Sequence, residues 1–320
     1  MSRYLVTGGC GFIGSNLVKR LLAQGHEVIV LDNLSTGRAD SIPDQVPLMR
    51  EDVADVSAVL EAFEQKVDGC FHLAANPSVS QSITDYAGCH RTNLGGTIAV
   101  FDSASKHALK RGRPVPVVYA SSCAVYGDAD VMPLIEDVHP HPLSSYGADK
   151  YCGEIHAKMA SSAYGLPSIG LRFFNVFGPG QRPESAYSGV LSIFCRTLAA
   201  GDQVTVFGDG LQKRDFVYVD DVVGALYLAM LHAEDCSPCV FNVCAGVGHS
   251  LLEVGQLIAD ICGTRFEPEF APARSGDIRM SVGNPKKCQE IIGWQSSTDF
   301  EDGIRQTLQW LAAQELVARS

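Results

Sequence analysis

The residues Thr7-Gly-Gly-Cys-Gly-Phe-Ile-Gly14 form the most informative motif of the chain. Its glycines at Gly8, Gly11 and Gly14 follow a short apolar run directly and open a helical pattern. Glycine permits a tight turn there, lets the backbone approach a pyrophosphate, and allows close packing of helix on strand. The helix N-terminus presents N–H groups and a partial positive charge to the same anion. The motif therefore predicts a dinucleotide-binding strand–turn–helix unit.

The first half of the chain continues this alternation of strand and helix. Apolar runs without strict alternation are typical of strands buried on both faces, and longer helical patterns separate them. Because crossovers between parallel strands are right-handed, we predict an α/β fold with a doubly wound parallel sheet, the Rossmann arrangement. The predicted strands are 4–7, 27–31, 69–73, 115–120 and 168–173, and the predicted helices are 13–24, 56–66, 93–110 and 144–164.

The second half is less regular and predicts a smaller, loop-rich, mixed α/β domain for the variable part of a ligand. Pro and Gly cluster at 178–183 and 208–210, and one strand and one helix are expected to return to the first sheet. The strand candidates are 204–207 and 240–243, and the helical patterns are 222–231, 251–262 and 300–315. We predict a dinucleotide-binding domain of residues 1–175 with about 214–244, and a substrate domain of about 176–213 and 245–320.

Composition limits the partners. The 320 residues are 46% apolar, which excludes a disordered chain, and the net charge of −11 disfavours nucleic acid binding. An anionic ligand must then be held by locally placed arginines. No apolar run approaches the roughly 18–20 residues of a membrane span, so no membrane partner is expected.

Eleven cysteines are an odd number, and no secretory signal precedes the first strand. We therefore expect reduced thiols and a cytoplasmic protein. Cys236 and Cys239 form a C-x-x-C pair, but no second pair or nearby His pair completes a zinc site. A surface turn is predicted there, and no metal is expected.

Acidic residues after the next strands indicate which dinucleotide binds. Asp32 ends the second predicted strand, where a carboxylate accepts hydrogen bonds from both ribose hydroxyls. No arginine stands immediately beside it to receive a 2′-phosphate, since Arg38 is several residues away, so NAD is favoured over NADP. Asp52 and Val53 are candidates for the adenine contact, and Asp52 is equally interpreted as a helix N-cap.

Two further motifs carry acid–base chemistry. In Tyr146-Gly-Ala-Asp-Lys150, the tyrosine and lysine project from the same helix face one turn apart. The ammonium, together with oxidised nicotinamide, is expected to lower the pKa of the phenol so that Tyr146 acts as a base. By itself this pair is also consistent with an ordinary helix surface. Ser122 ends another strand, where its hydroxyl can donate to a sugar oxygen or relay a proton, and Ser121 is predicted to be a turn or backbone partner.

The three motifs in this order resemble those of the extended short-chain dehydrogenase/reductases, and within that group the UDP-hexose 4-epimerases. The resemblance covers nearly the whole chain through TGGCGFIG, LDNLSTG, HLAA, SSCAVYG, YGADK, LRFFNVFGPGQ, RDFVYVDD and RSGDI. It implies a catalytic set of Ser122, Tyr146 and Lys150. It also implies a tightly held NAD that takes hydride from C4 of a UDP-sugar and returns it to the opposite face of the 4-keto sugar.

The resemblance also implies the ligand contacts. Asn93 would hold Lys150 through water or be an ordinary polar helix start, and Ser78 would touch the hexose or cap a helix. Arg214 and Arg274 would bind the diphosphate, and Asp277 the ribose. The implied cofactor contacts are Gly8, Gly11, Phe12, Ile13, Gly14, Asp32, Asn33, Asp52, Val53, Leu73, Ala74, Ala75, Asn93, Tyr146 and Lys150. The implied substrate contacts are Ser78, Ser122, Tyr146, Asn175, Val190, Phe207, Arg214, Arg274, Asp277 and Ser281.

Three positions bear on the reaction and the sugar. Related dehydratases carry an Asp and a Glu where this chain has Cys123 and Ala124, which disfavours dehydration, and Cys123 is interpreted as a packed thiol. A large residue at the position of Ser281 would restrict the hexose pocket, whereas serine leaves space for an N-acetyl group. The resemblance therefore favours interconversion of UDP-N-acetylglucosamine and UDP-N-acetylgalactosamine, with activity on UDP-glucose and UDP-galactose.

Two alternatives stay open, together with an expected partner. One is a 4-epimerase of UDP-glucuronate or of UDP-N-acetylglucosaminuronate, because Arg279 resembles a residue of epimerases that act on acetylated or uronic sugars. The other is a non-catalytic protein that senses NAD or nucleotide sugars, against which the intact catalytic set argues. The resemblance further implies a homodimer formed through the helices predicted at 93–110 and 144–164.

Overall fold

The computed structural model describes residues 1–182, 189–273 and 277–319, which form thirteen strands and eleven α-helices. The strands are β1 Arg3–Thr7, β2 Glu27–Leu31, β3 Leu48–Met49, β4 Gly69–His72, β5 Val117–Ser122, β6 Ser168–Phe173, β7 Asn175–Phe177, β8 Thr205–Phe207, β9 Lys213–Tyr218, β10 Cys239–Val243, β11 Gly248–Ser250, β12 Glu269–Ala271 and β13 Met280–Ser281. The helices are α1 Phe12–Ala23, α2 Val56–Glu64, α3 Val79–Thr84, α4 Tyr86–His90, α5 Gly96–Arg111, α6 Ser145–Tyr164, α7 Val190–Ala199, α8 Val219–Cys236, α9 Leu251–Cys262, α10 Lys286–Ile292 and α11 Phe300–Arg319.

Seven parallel strands form the larger sheet in the order β3-β2-β1-β4-β5-β6-β10. One apolar layer packs α1 and α8 against one face, and a second packs α2, α5 and α6 against the other. Strands covered on both faces are apolar throughout, which is why their sequences do not alternate. The predicted doubly wound parallel sheet is confirmed, and α8 and β10 return to it as expected.

The remaining strands form two smaller sheets beside the large one. β9 pairs in parallel with β7 and β13 and antiparallel with β11, while β8 pairs with β12. Helices α7, α9 and α11 pack around a separate apolar cluster beside these strands. β9 lies in this smaller sheet, whereas 219–243 rejoin the large one, and the domain boundary proposed from the sequence remains a prediction.

Several sequence predictions concern metals, membranes and cysteines. All eleven cysteines are free, and the Cys236–Cys239 stretch is the short turn between α8 and β10. Within the described ranges, no cluster of three or more His, Cys, Asp or Glu side chains is arranged to hold a metal. In those same ranges, no helix has the length and apolar character needed to cross a membrane.

Candidate active site

The glycine turn between β1 and α1 forms one end of a cleft. Gly8 has φ of +70°, and a Cβ there would lie 2.7 Å from the Ala74 nitrogen. The Gly11 N–H donates to the Gly8 carbonyl at 3.1 Å, and a Cβ on Gly14 would clash with that same oxygen. Only glycine therefore fits at positions 8 and 14, and the turn presents backbone N–H groups at the start of α1, as a bound pyrophosphate requires.

Asp32 follows β2 directly and is held in a fixed orientation. Its carboxylate accepts hydrogen bonds from the backbone N–H groups of Cys10, at 2.9 Å, and Leu34, at 2.8 Å. Burial raises the pKa of Asp32, and these two N–H groups oppose the rise. The carboxylate lines the cleft beside Asn33, where a ribose would lie.

The interpretation of Asp52 as a helix N-cap is wrong. The N-cap of α2 is Asp55, whose side chain accepts from the Ser57 and Ala58 N–H groups. Asp52 instead accepts from the Ala54 N–H at 2.9 Å and pairs with Arg91 at 2.7 Å. Asp52 thus lies at the cleft with one oxygen fixed to its own loop and the other to an arginine.

The cleft has a volume of about 780 Å³ and extends from the glycine turn to the ends of β5 and α6. Its turn, helix N-terminus and buried carboxylate fit the pyrophosphate and ribose of NAD. Among the predicted cofactor and catalytic residues, those that line it are Gly8, Gly11, Phe12, Ile13, Gly14, Asp32, Asn33, Asp52, Val53, Leu73, Ala74, Ala75, Ser122, Tyr146 and Lys150.

The three predicted catalytic side chains meet at the far end of this cleft. The Ser122 hydroxyl is positioned to hydrogen-bond the phenol of Tyr146, and it accepts a hydrogen bond from the Ala124 N–H at 3.2 Å. Lys150 donates to the Ala120 carbonyl at 2.8 Å, with its Nζ 5.8 Å from the centre of the Tyr146 ring. Strand β5 and helix α6 therefore bring together a hydroxyl, a phenol and an ammonium.

Without NAD, burial dominates the pKa of Tyr146, and the lowering expected from Lys150 together with oxidised nicotinamide stays a prediction. Burial raises the pKa of Tyr146 to about 12, and the hydrogen bond with Ser122 offsets only part of that rise. Burial also lowers the pKa of Lys150 to about 8, although Asp149 opposes this change. Desolvation penalises both charged forms more than the two side chains help each other. A further positive charge near the phenol is then needed to make Tyr146 a base at neutral pH.

Asn93 and Ser78 both form hydrogen bonds that fix local backbone structure. Asn93 lies in a π-helical turn, Arg91–Gly95. Its side-chain oxygen accepts a hydrogen bond from the Asn76 N–H at 2.7 Å, and its side-chain nitrogen donates one to the Asn76 carbonyl at 3.2 Å. This fixes the loop after β4, whose residues line the cleft. Ser78 caps α3 by accepting from the Gln81 N–H at 3.0 Å, as its alternative interpretation predicted.

The smaller sheet brings some of the predicted substrate residues together. Arg214 on β9 forms an ion pair with Asp277, and its register partner on β13 is Ser281. Ser281 is buried with its hydroxyl beside the Cys123 thiol, whose pKa is raised by burial. Cys123 thus packs as predicted, beside Ser122 and Ser281.

The other predicted substrate residues are dispersed. Asn175 begins β7, Val190 begins α7 and Phe207 ends β8. None of these three is among the residues that line the cleft. Arg274 lies outside the described residues.

The cleft also contains side chains that the motifs did not reveal. Trp310 and Gln314, one turn apart on α11, line it near Phe12. Arg38 is paired with Asp40 at 2.6 Å at the mouth. No local motif marks these residues, because they reach the cleft from a terminal helix and a surface loop.

Ser121 was expected to be a turn or backbone partner, and this prediction is wrong. Its hydroxyl donates a hydrogen bond to the buried Glu154 carboxylate at 2.6 Å. Adjacent side chains leave a strand in opposite directions, so the two serines reach different residues. The two adjacent serines therefore have different partners on the same helix, Glu154 and Tyr146.

A parallel sheet of this order, with a glycine turn at one end of a cleft and a Ser, Tyr and Lys set at the other, defines the class of NAD-dependent short-chain dehydrogenases/reductases. Residues 4–244 match the model of the NAD-dependent epimerase/dehydratase family. The chain belongs to that family.

Individual relatives agree over almost their whole length. A UDP-glucose 4-epimerase of Mycolicibacterium smegmatis is 38% identical over 96% of this chain and 98% of its own. The crystal structure of a Thermotoga maritima UDP-glucose 4-epimerase with UDP-glucose superimposes with a TM-score of 0.93 at 35% identity, covering 98% of this chain and 99% of that one. The structure of a UDP-N-acetylglucosamine 4-epimerase of Methanobrevibacter ruminantium in complex with UDP-N-acetylmuramic acid superimposes with a TM-score of 0.90 at 32% sequence identity. It covers 98% of this chain and 99% of that one. The predictions of an isomerase and of NAD as its cofactor are confirmed.

Proposed function

We propose that the protein is a UDP-hexose 4-epimerase that inverts C4 through a transient 4-keto sugar. The observation that carries this proposal is the meeting of Ser122, Tyr146 and Lys150 at one end of the cleft whose other end is the glycine turn. That arrangement supports an acid–base pair acting beside a bound nicotinamide, and the relatives named as UDP-glucose 4-epimerases support C4 as the reacting centre.

Each residue has a distinct part in the proposed reaction. Tyr146 takes the proton of the C4 hydroxyl at its Oη and later returns it, while Ser122 holds the same sugar oxygen through its hydroxyl. Lys150, anchored on the Ala120 carbonyl, keeps a positive charge close to the phenol. When bound, NAD supplies the hydride acceptor at C4 and the second positive charge that a phenol with a pKa of about 12 requires.

The residues beside the catalytic set support epimerisation over dehydration. Elimination of water needs an additional acid and base, and Cys123 and Ala124 occupy the positions that would carry them. Burial raises the pKa of the Cys123 thiol, so it is a poor proton donor and a poor nucleophile.

Among UDP-hexoses, we propose a preference for UDP-N-acetylglucosamine and UDP-N-acetylgalactosamine, with activity on the unsubstituted sugars. The supporting residue is Ser281, a small side chain on β13 beside Cys123 and opposite Arg214. A structural relative named for UDP-N-acetylglucosamine supports the same preference. Arg279, which favoured a uronic substrate, is paired with Asp209 at 2.7 Å, so its charge is already balanced.

The domain roles and the assembly are also proposals. The larger domain would hold NAD and the smaller one the UDP-sugar, with the Arg214–Asp277 pair at the diphosphate and ribose. A cytoplasmic homodimer would form through α5 and α6. These helices expose Ile98, Ile155 and Met159, and apolar side chains of this kind are commonly buried between subunits.

The test is to incubate the purified protein, without added NAD, with UDP-N-acetylglucosamine, UDP-glucose or UDP-glucuronate, and to identify products by proton NMR. We expect UDP-N-acetylgalactosamine as the main product and UDP-galactose as a lesser one. Tyr146→Phe, which removes only the hydroxyl, is the inactive control. Product from UDP-glucuronate alone would favour the uronate epimerase, and retained NAD without any product would favour a sensor.

A further inference from the structure

Glu154 lies on α6 one turn beyond Lys150, on the helix face that carries Tyr146. Its carboxylate accepts three hydrogen bonds. Ser121 Oγ donates to Oε1 at 2.6 Å, Arg172 Nε donates to Oε1 at 2.8 Å, and Arg172 Nη2 donates to Oε2 at 2.7 Å. None of these side chains belongs to the reacting set described above. The catalytic helix therefore has a second polar anchor in addition to Lys150.

The two donors come from neighbouring strands at the same level. Ser121 on β5 and Arg172 on β6 are direct register partners in the sheet. One carboxylate on the helix thus binds a paired position of two strands, and one of these residues immediately precedes Ser122. Because the side chains of Ser121 and Ser122 leave the strand in opposite directions, fixing the first fixes the direction of the second.

This anchor is buried and fully paired. The side chains of Glu154 and Arg172 are 3% and 5% exposed. The third nitrogen of Arg172, Nη1, donates to the Glu136 carbonyl at 3.3 Å, and the guanidinium lies 4.7 Å from the centre of the Tyr126 ring. A buried ion pair adds little net stability compared with apolar residues of the same volume, because both charges lose their hydration. Stability alone is therefore a weak reason for placing this pair against the catalytic helix.

We propose that Glu154, held by Ser121 and Arg172, is a positioning residue that sets the distance between Tyr146 on α6 and Ser122 on β5. The proposal rests on the proposed 4-epimerase function. Tyr146 and Lys150 are fixed to the helix and Ser122 to the strand, and Glu154 joins these two elements at the residue next to Ser122. Misplacement of reacting groups by a fraction of an ångström to one ångström lowers the rate of the chemical step more than it weakens substrate binding.

Ser121→Ala is the most selective test, because it removes one donor and leaves the bidentate Glu154–Arg172 pair intact. Glu154→Gln is less suitable, since it leaves a buried arginine without its counter-charge and threatens folding. We expect kcat for the preferred UDP-hexose to fall at least about tenfold, the effect of losing one hydrogen bond to a charged group, while KM changes less than about twofold. The content of bound NAD should not change.

The pH profile separates positioning from a general loss of stability. The Ser122 hydroxyl lowers the pKa of Tyr146. If Ser121→Ala displaces Ser122, the pKa of Tyr146 should rise, and the fall of kcat on the acidic side of the pH profile should move to higher pH. The matched control is Ser103→Ala on α5, where a buried hydroxyl has no hydrogen-bond partner among the described residues. That variant should keep the kcat and the pH profile of the wild type.

The wild type is measured in the same assay so that two failures are distinguished. If it shows no turnover on any UDP-hexose, the proposed function and the positioning role both fall. If the wild type turns over and Ser121→Ala keeps kcat within about twofold with an unchanged acid limb, the positioning role alone is overturned.

Discussion

Lys150 illustrates how one side chain can serve the site at the expense of stability. Its ammonium is buried at the end of the cleft and donates a hydrogen bond to the Ala120 carbonyl at 2.8 Å. Burial lowers the pKa of Lys150 from 10.5 to about 8, with Asp149 opposing the change. The folded protein therefore pays a desolvation penalty whenever this lysine is charged.

Lys150→Met is expected to raise the free energy of unfolding at pH 7 while abolishing turnover. Below pH 8 the lysine is charged in both states, so the folded state carries the full penalty, which is on the order of 3 kcal/mol. As pH rises from about 8 to 10.5, the lysine becomes neutral in the folded state first, and the gain from the substitution disappears. Urea unfolding at pH 7 and pH 10 measures both values.

The control for this prediction is Lys158→Met at an exposed position on the same helix, which should change the free energy of unfolding by less than about 0.5 kcal/mol. A Lys150→Met protein less stable than the wild type at pH 7 would contradict the argument.

Ser281→Tyr is expected to reduce turnover of UDP-N-acetylglucosamine at least tenfold more than turnover of UDP-glucose. The serine is buried beside Cys123, so a phenol ring would fill the space proposed for the N-acetyl group. Met280→Tyr adds a similar ring at the neighbouring exposed position and should leave the ratio of the two activities unchanged. Steady-state kinetics with both substrates provide the test, and equal losses with the Ser281 variant would remove the support for an N-acetyl pocket.

At the scale of elements, the turn between β1 and α1 has no room for side chains at Gly8 and Gly14. Gly14→Ala should abolish NAD retention, because its Cβ would lie 2.8 Å from the Gly9 Cα and would clash with the Gly8 carbonyl. Gly95→Ala, where a Cβ meets nothing within 4 Å in a helical backbone, should keep NAD and add up to about 1 kcal/mol of stability. The NAD content of the purified proteins is measured by absorbance after denaturation, and normal NAD content in Gly14→Ala would refute the prediction.

Elements with a clear local pattern of apolar residues could be predicted from the sequence, whereas those that depend on distant partners could not. The strands β2 and β6 and the helix α9 begin and end at the predicted residues. β9 was not predicted, because Lys213, Arg214 and Asp215 interrupt its apolar pattern and its partners are far along the chain. The motifs likewise indicated the catalytic set, but not the contacts of Asn93 with Asn76, which a π turn creates.

At the scale of the whole molecule, the proposed dimer predicts an effect of surface charge. Ile155 and Met159 lie one turn apart on α6, and 50% and 46% of their surfaces are exposed. Replacing both with Glu should convert a dimer into a monomer, because like charges would face each other across a two-fold axis. Sedimentation equilibrium measures the mass, and Leu231→Glu on α8, also exposed, is the control that should remain dimeric. A wild-type monomer would overturn the proposed assembly.

The position of Trp310 gives the molecule an optical property. The chain has two tryptophans, and Trp294 is buried with its Nε1 donating to the Asp221 carbonyl at 2.8 Å. Trp310 instead lines the cleft that fits NAD. Indole emission overlaps the absorption band of reduced nicotinamide but not of the oxidised form, so energy transfer from Trp310 would dim its fluorescence only while the cofactor is reduced. The tryptophan fluorescence of the protein would thus report the redox state of its bound cofactor.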